Sequence, residues 1–144
     1  MRLNSAHDAA QTLRAAGLKA TPQRLAILRA LDGDETHPTA QELHERLHAQ
    51  FPTLSVATVY NTLSALTRMQ RCAPLELGGP LRFDPNMSAH DHAVCERCGR
   101  IRDVQPAAAL GSPELAGFRV SRVERIYRGV CAQCAGAAET VAIE

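Results

Sequence analysis

Cys95 and Cys98 form one CxxC pair and Cys131 and Cys134 a second, with a His90-Asp91-His92 run just before the first pair and Asp103 just after it. Thiolates are soft ligands, and four of them, supplied two per tight turn, suit a tetrahedral structural zinc ion that closes the chain between the pairs. A thiol exchange centre needs one CxxC at a helix start. Two matched pairs therefore point to metal rather than to redox turnover. Zinc would supply folding energy to a segment rich in Ala, Gly and Arg with little core of its own. Cys72 stands outside both pairs and is read as a half-buried small side chain or spare thiol, not a fifth ligand.

A second group differs in chemistry. His90 and His92 alternate along an extended segment, so their rings can share one face, and Asp84 and Asp103 bracket them. Imidazoles with carboxylates favour Fe(II), Mn(II), Zn(II) or Co(II), and oxygen in place of sulfur shifts preference toward harder ions. His37 stands apart, before Pro38. By itself it reads as a solvated side chain; as a ligand it would tie the two halves together and convert metal occupancy into relative domain position. No separate nucleophile or polarised acid–base pair accompanies this group, which argues against an enzyme.

The 144 residues, 45% hydrophobic and 22% charged, fit a soluble globular chain of one domain or two small ones. With three Phe, two Tyr and no Trp, its cores must be mostly aliphatic. No apolar run is long enough to span a bilayer. The N-terminal residues lack the apolar stretch of a secretory signal, and reduced metal-holding cysteines fit the cytoplasm. A net charge of +1 means that any DNA contact must come from a local arrangement of side chains and helix ends.

Punctuation residues divide the first half into helices. Gly17 closes a first stretch over roughly 6–16. Thr21 and Pro22 start a second, with the threonine as cap and the proline where no amide is needed; its apolar face carries Leu25, Ile27, Leu28 and Leu31. A third opens at Thr39, where Glu42 completes a capping box. A fourth is capped by Ser55 and aligns Val56, Val59, Leu63 and Leu66. Three compact helices with a turn between the third and fourth follow the helix-turn-helix plan. Strands over 72–77 and from Leu81 to Phe83, joined at Gly78-Gly79-Pro80, add a wing. The fourth helix offers Ser55, Thr58, Tyr60 and Asn61 as short or hydrogen-bonding groups for base edges and phosphates, and Arg24 for a groove or phosphate contact. Tyr60 serves equally as a core tyrosine with a wet tip.

The predicted class is α+β: a winged helix-turn-helix domain over 1–83, a ligand-bearing hinge over 84–92, and a small zinc-containing dimerisation domain over 93–144. In the last, strands are expected over 93–95, 100–104 and 118–127, with a helix over 106–115. Such a sheet leaves an exposed edge and a marginal core. Pairing with a second copy would relieve both and present two reading helices to two half-sites.

The ordered motifs Thr21-Pro22-Gln23-Arg24, His37-Pro38-Thr39, Ala57-Thr58-Val59-Tyr60, Arg82-Phe83-Asp84, His90-Asp91-His92, Cys95-x-x-Cys98-Gly99 and Cys131-x-x-Cys134 resemble the ferric uptake regulator superfamily along nearly the whole chain. The resemblance implies a homodimeric, cytoplasmic metalloregulator that binds palindromic operator DNA. It implies structural Zn(2+) on the four cysteines and Fe(2+) or Mn(2+) on His37, Asp84, His90, His92 and Asp103. Aspartates at 84 and 103, where the iron-uptake branch typically has glutamates, are similar to the peroxide-sensing PerR branch. That likeness implies a repressor of peroxide-stress and metal-homeostasis genes, released when Fe(II) drives oxidation of His37 or His90; the alternative is a reversible iron or manganese uptake regulator. The chain departs from the iron-uptake pattern at Ala89, where many members carry a further histidine. It departs from the peroxide-sensing pattern at Thr62 and Ser64, within the helix that would read DNA.

Overall fold

A computed structural model describes residues 2–106 and 115–141, with the side chains of 137–141 left aside. The chain divides into two compact units, Met1–Met87 and Ser88–Glu144. No described helix is long and apolar enough to cross a membrane.

The first unit contains α1 (Ala6–Ala15), α2 (Pro22–Leu31), α3 (Ala40–His48) and α4 (Val56–Arg68), then a ribbon of β1 (Ala73–Leu75) and β2 (Arg82–Asp84). Each helix begins where an oxygen satisfies an orphan amide: Ser5, Thr21, Thr39 and Ser55 are the four caps, and Thr39 with Glu42 forms a full capping box. Gly17 ends α1 with φ +77°, a left-handed turn that glycine adopts without a Cβ penalty. The core is aliphatic as composition requires: Leu13, Ile27, Leu28, Leu31, Leu43, Leu63 and Leu66 are fully buried around Phe83. Val56 lies on the same face of α4 as Val59, Leu63 and Leu66 but at the exposed start of the helix. It is 37% exposed. Cys72 is fully rather than half buried, with its thiol beside Thr67 Oγ1 at 3.4 Å and the Leu63 carbonyl at 3.7 Å. Burial pushes that thiol above its ordinary pKa.

β1 and β2 pair antiparallel with Ala73 opposite Asp84 and Leu75 opposite Arg82. This two-stranded ribbon after four packed helices is the wing.

The second unit has a three-stranded sheet in the order β4-β3-β5, with β3 (Asp91–Cys95) antiparallel to β4 (Ile101–Val104) and parallel to β5 (Ile126–Gly129). The long strand expected over 118–127 is corrected here: only its last two residues belong to β5, and the residues before them are non-strand and largely exposed. Alternating Arg and apolar side chains make a strand only where an edge accepts them. In the single chain Phe118 and Val123 remain 71% and 63% exposed. A helix, α5 (Ala132–Val141), starts directly after Cys131; sequence reading missed it because Ala and Gly give no amphipathic stripe. Most of the expected helix over 106–115 lies outside the described residues.

Candidate metal centres

The four paired cysteines converge. The turn after β3 places Cys95 and Cys98, with the Gly99 amide returning to the Cys95 carbonyl at 2.9 Å and Gly99 itself at φ +73°. Cys131 and Cys134 sit at the start of α5. All four are free thiols whose Sγ atoms lie within 4.8 Å of one another, and Cys98 Sγ is 3.8 Å from Cys131 Sγ. Sulfurs bound at about 2.3 Å around a tetrahedral zinc stand roughly 3.8 Å apart, so the spacing fits that ion. Backbone amides of Cys98 and Cys131 pull the Cys95 thiol down to about 6, with the Cys131 amide donating to its Sγ at 3.3 Å. Cys134 is pushed up to about 12 by the side chains of Cys131 and Cys98. The cluster thus favours some thiolate but cannot ionise fully against its own repulsion, a state that a divalent cation relieves. Arg97 Nη1 donates to the Cys134 carbonyl at 2.8 Å and ties the two turns together.

The histidine and aspartate ligand candidates fall into two sets. In the second unit, His92 lies opposite Asp103 in the β3–β4 register, which sends both side chains to one face. His90 Nε2 is 3.1 Å from His92 Nε2 and 3.5 Å from Asp103 Oδ1, and His92 Nε2 is 3.7 Å from the same oxygen. His90 Nδ1 is 2.7 Å from the Ser88 carbonyl oxygen. Only a protonated Nδ1 can make that bond, so in the neutral ring Nε2 is the nitrogen left with a lone pair, and it faces His92 and Asp103.

In the first unit, His37 is completely buried, which overturns its reading as a solvated side chain. Its φ is +54°; a residue other than glycine held there costs about 1–3 kcal/mol, and such strain gathers at functional sites. His37 Nε2 stands 3.6 Å from Asp84 Oδ2, and Asp84 is likewise buried. Asp84 divides its oxygens: Oδ1 accepts the Asn86 amide at 2.8 Å while Oδ2 faces the imidazole. Donors about 2.1 Å from one ion lie roughly 3.0–3.5 Å apart. Both sets have nearly that spacing, and their nitrogen and oxygen donors suit a harder ion than the thiolates do.

Asp91, between the two histidines, is occupied differently. It is buried, with Arg125 Nε 3.6 Å from Oδ1 and the Tyr127 hydroxyl 3.5 Å from Oδ2. A guanidinium already supplies the cation at this carboxylate.

On α4, Ser55 and Thr58 bond to each other through their hydroxyls at 2.9 Å, while Asn61 and Tyr60 are exposed. Tyr60 is 47% exposed and meets Phe83 edge to face, with centroids 6.4 Å apart. It is neither a core tyrosine nor a detached one. Arg24 is half-buried and donates to the Lys19 carbonyl at 3.2 Å. One run escaped the sequence reading: His44-Glu45-Arg46-Leu47-His48 has the spacing of a helical zinc-hydrolase motif. His44 Nε2 instead meets the Leu54 carbonyl at 2.7 Å, bracing α3 against the approach to α4.

A helix-turn-helix with a wing, joined in one chain to a sheet bearing four converging thiols, defines a metal-binding, DNA-binding regulator. The chain belongs to the ferric uptake regulator family, which it matches over residues 15–116. It is 38% identical over 139 residues to the peroxide operon regulator of Bacillus subtilis, covering 93% of this chain and 96% of that one. It is 41% identical over 128 residues to the peroxide-responsive repressor PerR of Staphylococcus aureus, covering 85% and 86%. Among solved structures, the Helicobacter pylori ferric uptake regulator shares the fold with a TM-score of 0.71 at 21% identity, over 94% of this chain and 97% of that one. PerR from Streptococcus pyogenes, a structure concerned with peroxide sensing and gene regulation, gives 0.52 at 28% identity over 93% and 95%. The protein is therefore a transcriptional regulator closely related to the peroxide-responsive branch, and not an enzyme.

Proposed function

We propose that the protein is a peroxide-sensing repressor of peroxide-stress and metal-homeostasis genes. In this reading Cys95, Cys98, Cys131 and Cys134 hold structural zinc, and His37 and Asp84 join His90, His92 and Asp103 around one Fe(II) or Mn(II) ion. The carrying observation is that each unit holds its share of nitrogen and oxygen donors at ligand spacing: His37 with Asp84 at 3.6 Å, and His90 with His92 at 3.1 Å. Aspartates at both carboxylate positions and the likeness to two peroxide-responsive relatives support the branch.

An ion shared by ligands from both units would fix their relative position, with residues 84–92 as the hinge. Fe(II) held by these residues would supply an electron to peroxide, which Mn(II) on the same donors would do far less readily. The protein's own contribution is to hold His37 and His90 beside that chemistry as the side chains oxidised. Arg24, Ser55, Thr58, Tyr60 and Asn61 are the proposed contacts to a palindromic operator. A homodimer is supported by the apolar side chains that the single chain leaves in water, Phe118, Val120 and Val123.

The test is operator binding by protein loaded with Fe(II) or Mn(II), followed by low peroxide and mass measurement of the histidine peptides. Fe(II) protein should gain oxygen at His37 or His90 and leave DNA, while Mn(II) protein keeps both. Fe(II) protein that stays bound and unmodified under those conditions makes it a reversible iron or manganese uptake regulator, since Asp84 and Asp103 suit hard ions in either case.

A further inference from the structure

The backbone of His37 is held from behind by one side chain. Arg82 Nη1 donates to the His37 carbonyl at 3.0 Å and lies 3.2 Å and 3.4 Å from the two oxygens of Glu42. The main chain repeats the tie: the Phe83 amide donates to the Pro38 carbonyl at 2.9 Å, and Thr39 bridges to Arg82. Glu42 is already engaged, because its Oε2 accepts the Thr39 amide at 2.9 Å in the capping box of α3. One carboxylate thus receives both the first amide of the helix-turn-helix pair and the guanidinium that grips the His37 turn. Two residues along β2 from Arg82, Asp84 faces the His37 ring.

We infer that Arg82 is a positioning residue for the regulatory metal: it keeps His37 in its left-handed conformation, ring toward Asp84, before any ion arrives. The inference rests on the reading that His37 and Asp84 are ligands. A residue at φ +54° relaxes unless its surroundings over-determine it, and here the His37 carbonyl is one atom that can be gripped without touching the ring. Removing the grip leaves the ligand in place but unaimed, so the ion must reorder the turn as it binds. Partners behind metal ligands typically set affinity by about 10–100-fold. Glu42 extends the consequence to α3: whatever disturbs its cap also disturbs the ligand. Lysine has one compact ammonium in place of a planar fork and should replace Arg82 only in part.

The experiment compares wild type, Arg82→Ala, Arg82→Lys and His37→Ala as full-length, zinc-loaded protein. Mn(II) affinity is read by electron paramagnetic resonance, and amide exchange is measured in the same protein before Mn(II) is added. Expected are Mn(II) binding weakened about tenfold or more in Arg82→Ala, an intermediate loss in Arg82→Lys, unchanged zinc, and faster exchange confined to the Phe83 amide and the His37–Thr39 turn. Wild-type Mn(II) affinity in Arg82→Ala, with affinity lost in His37→Ala, overturns the positioning role and leaves the ligand assignment standing. Wild-type affinity in His37→Ala overturns the ligand assignment and this inference with it. Exchange that rises uniformly across the first unit makes Arg82 a scaffold residue and likewise overturns it.

Discussion

His90 Nδ1 lies 2.7 Å from the backbone carbonyl of Ser88. That contact decides which ring nitrogen is available before any metal is considered, because a carbonyl accepts only from N–H. Its Nε2 faces His92 and Asp103 and, in the neutral ring, is the nitrogen that holds the lone pair. The same logic recurs at Asp84, where the Asn86 amide takes one carboxylate oxygen and the other faces His37. In both units a backbone group orients the atom that faces the neighbouring candidate ligands.

The thiolate cluster is expected to fail as a unit. Cys95→Ser removes the sulfur that receives the Cys131 amide and one of the four proposed zinc ligands, which would leave an open, hydrated position on the ion. Metal analysis should show loss of bound zinc, and sedimentation should show loss of the dimer. A monodisperse dimer with full zinc content would refute the structural assignment.

Cys72→Ser should leave zinc stoichiometry untouched, since Cys72 is buried beside Thr67 and Leu63 and belongs to the other unit. Replacing a buried thiol with a more polar hydroxyl should lower stability by about 1 kcal/mol, read in denaturant melts. Loss of one zinc per subunit would make Cys72 a ligand.

Tyr60→Ala and Arg24→Ala separate reading from holding. The tyrosine ring is partly exposed and rests edge-on against Phe83, so its loss should weaken specific operator binding by about 1–3 kcal/mol and nonspecific binding less. Loss of Arg24 should lower affinity for all sequences and reduce the salt slope by roughly one. Unchanged operator affinity in both folded variants would place the reading surface elsewhere.

Asp34 gives a pH signature independent of metal. Burial raises its pKa, but this is outweighed by hydrogen bonds from the Thr36 side chain and amide and by Arg46, so the carboxyl lies below its ordinary value. A carboxyl depressed in the folded state stabilises above its unfolded pKa, about 3.9, and that contribution disappears as pH falls through the lower folded value. Asp34→Asn should therefore cost about 1–2 kcal/mol at pH 6 in urea melts. The difference from wild type should shrink below about pH 4; a constant difference down to pH 2 would assign the effect to shape rather than charge.

Local signals carried the helical half of the fold. Thr21-Pro22, Thr39 with Glu42, and Ser55 announce helix starts because capping is settled within a few residues. The CxxC pairs were equally plain, since two sulfurs in one turn need no distant information. Strand limits in the second unit were not, because the alternation over 118–125 matches a strand whether or not an edge is there to receive it. His37 shows the same division. Its residue type offered a ligand, but a histidine beside proline is equally at home in water, and only packing brings it 3.6 Å from Asp84 in the core of the first unit. The Arg82 grip was hidden for the same reason: its partners at His37 and Glu42 lie 45 and 40 positions away in sequence. Sequence by itself determined the donor chemistry, soft at one site and hard at the other, because that belongs to side-chain atoms. Tertiary structure alone decided which donors are buried, which nitrogen or oxygen each turns forward, and which backbone is held strained, because those depend on contacts between residues far apart along the chain.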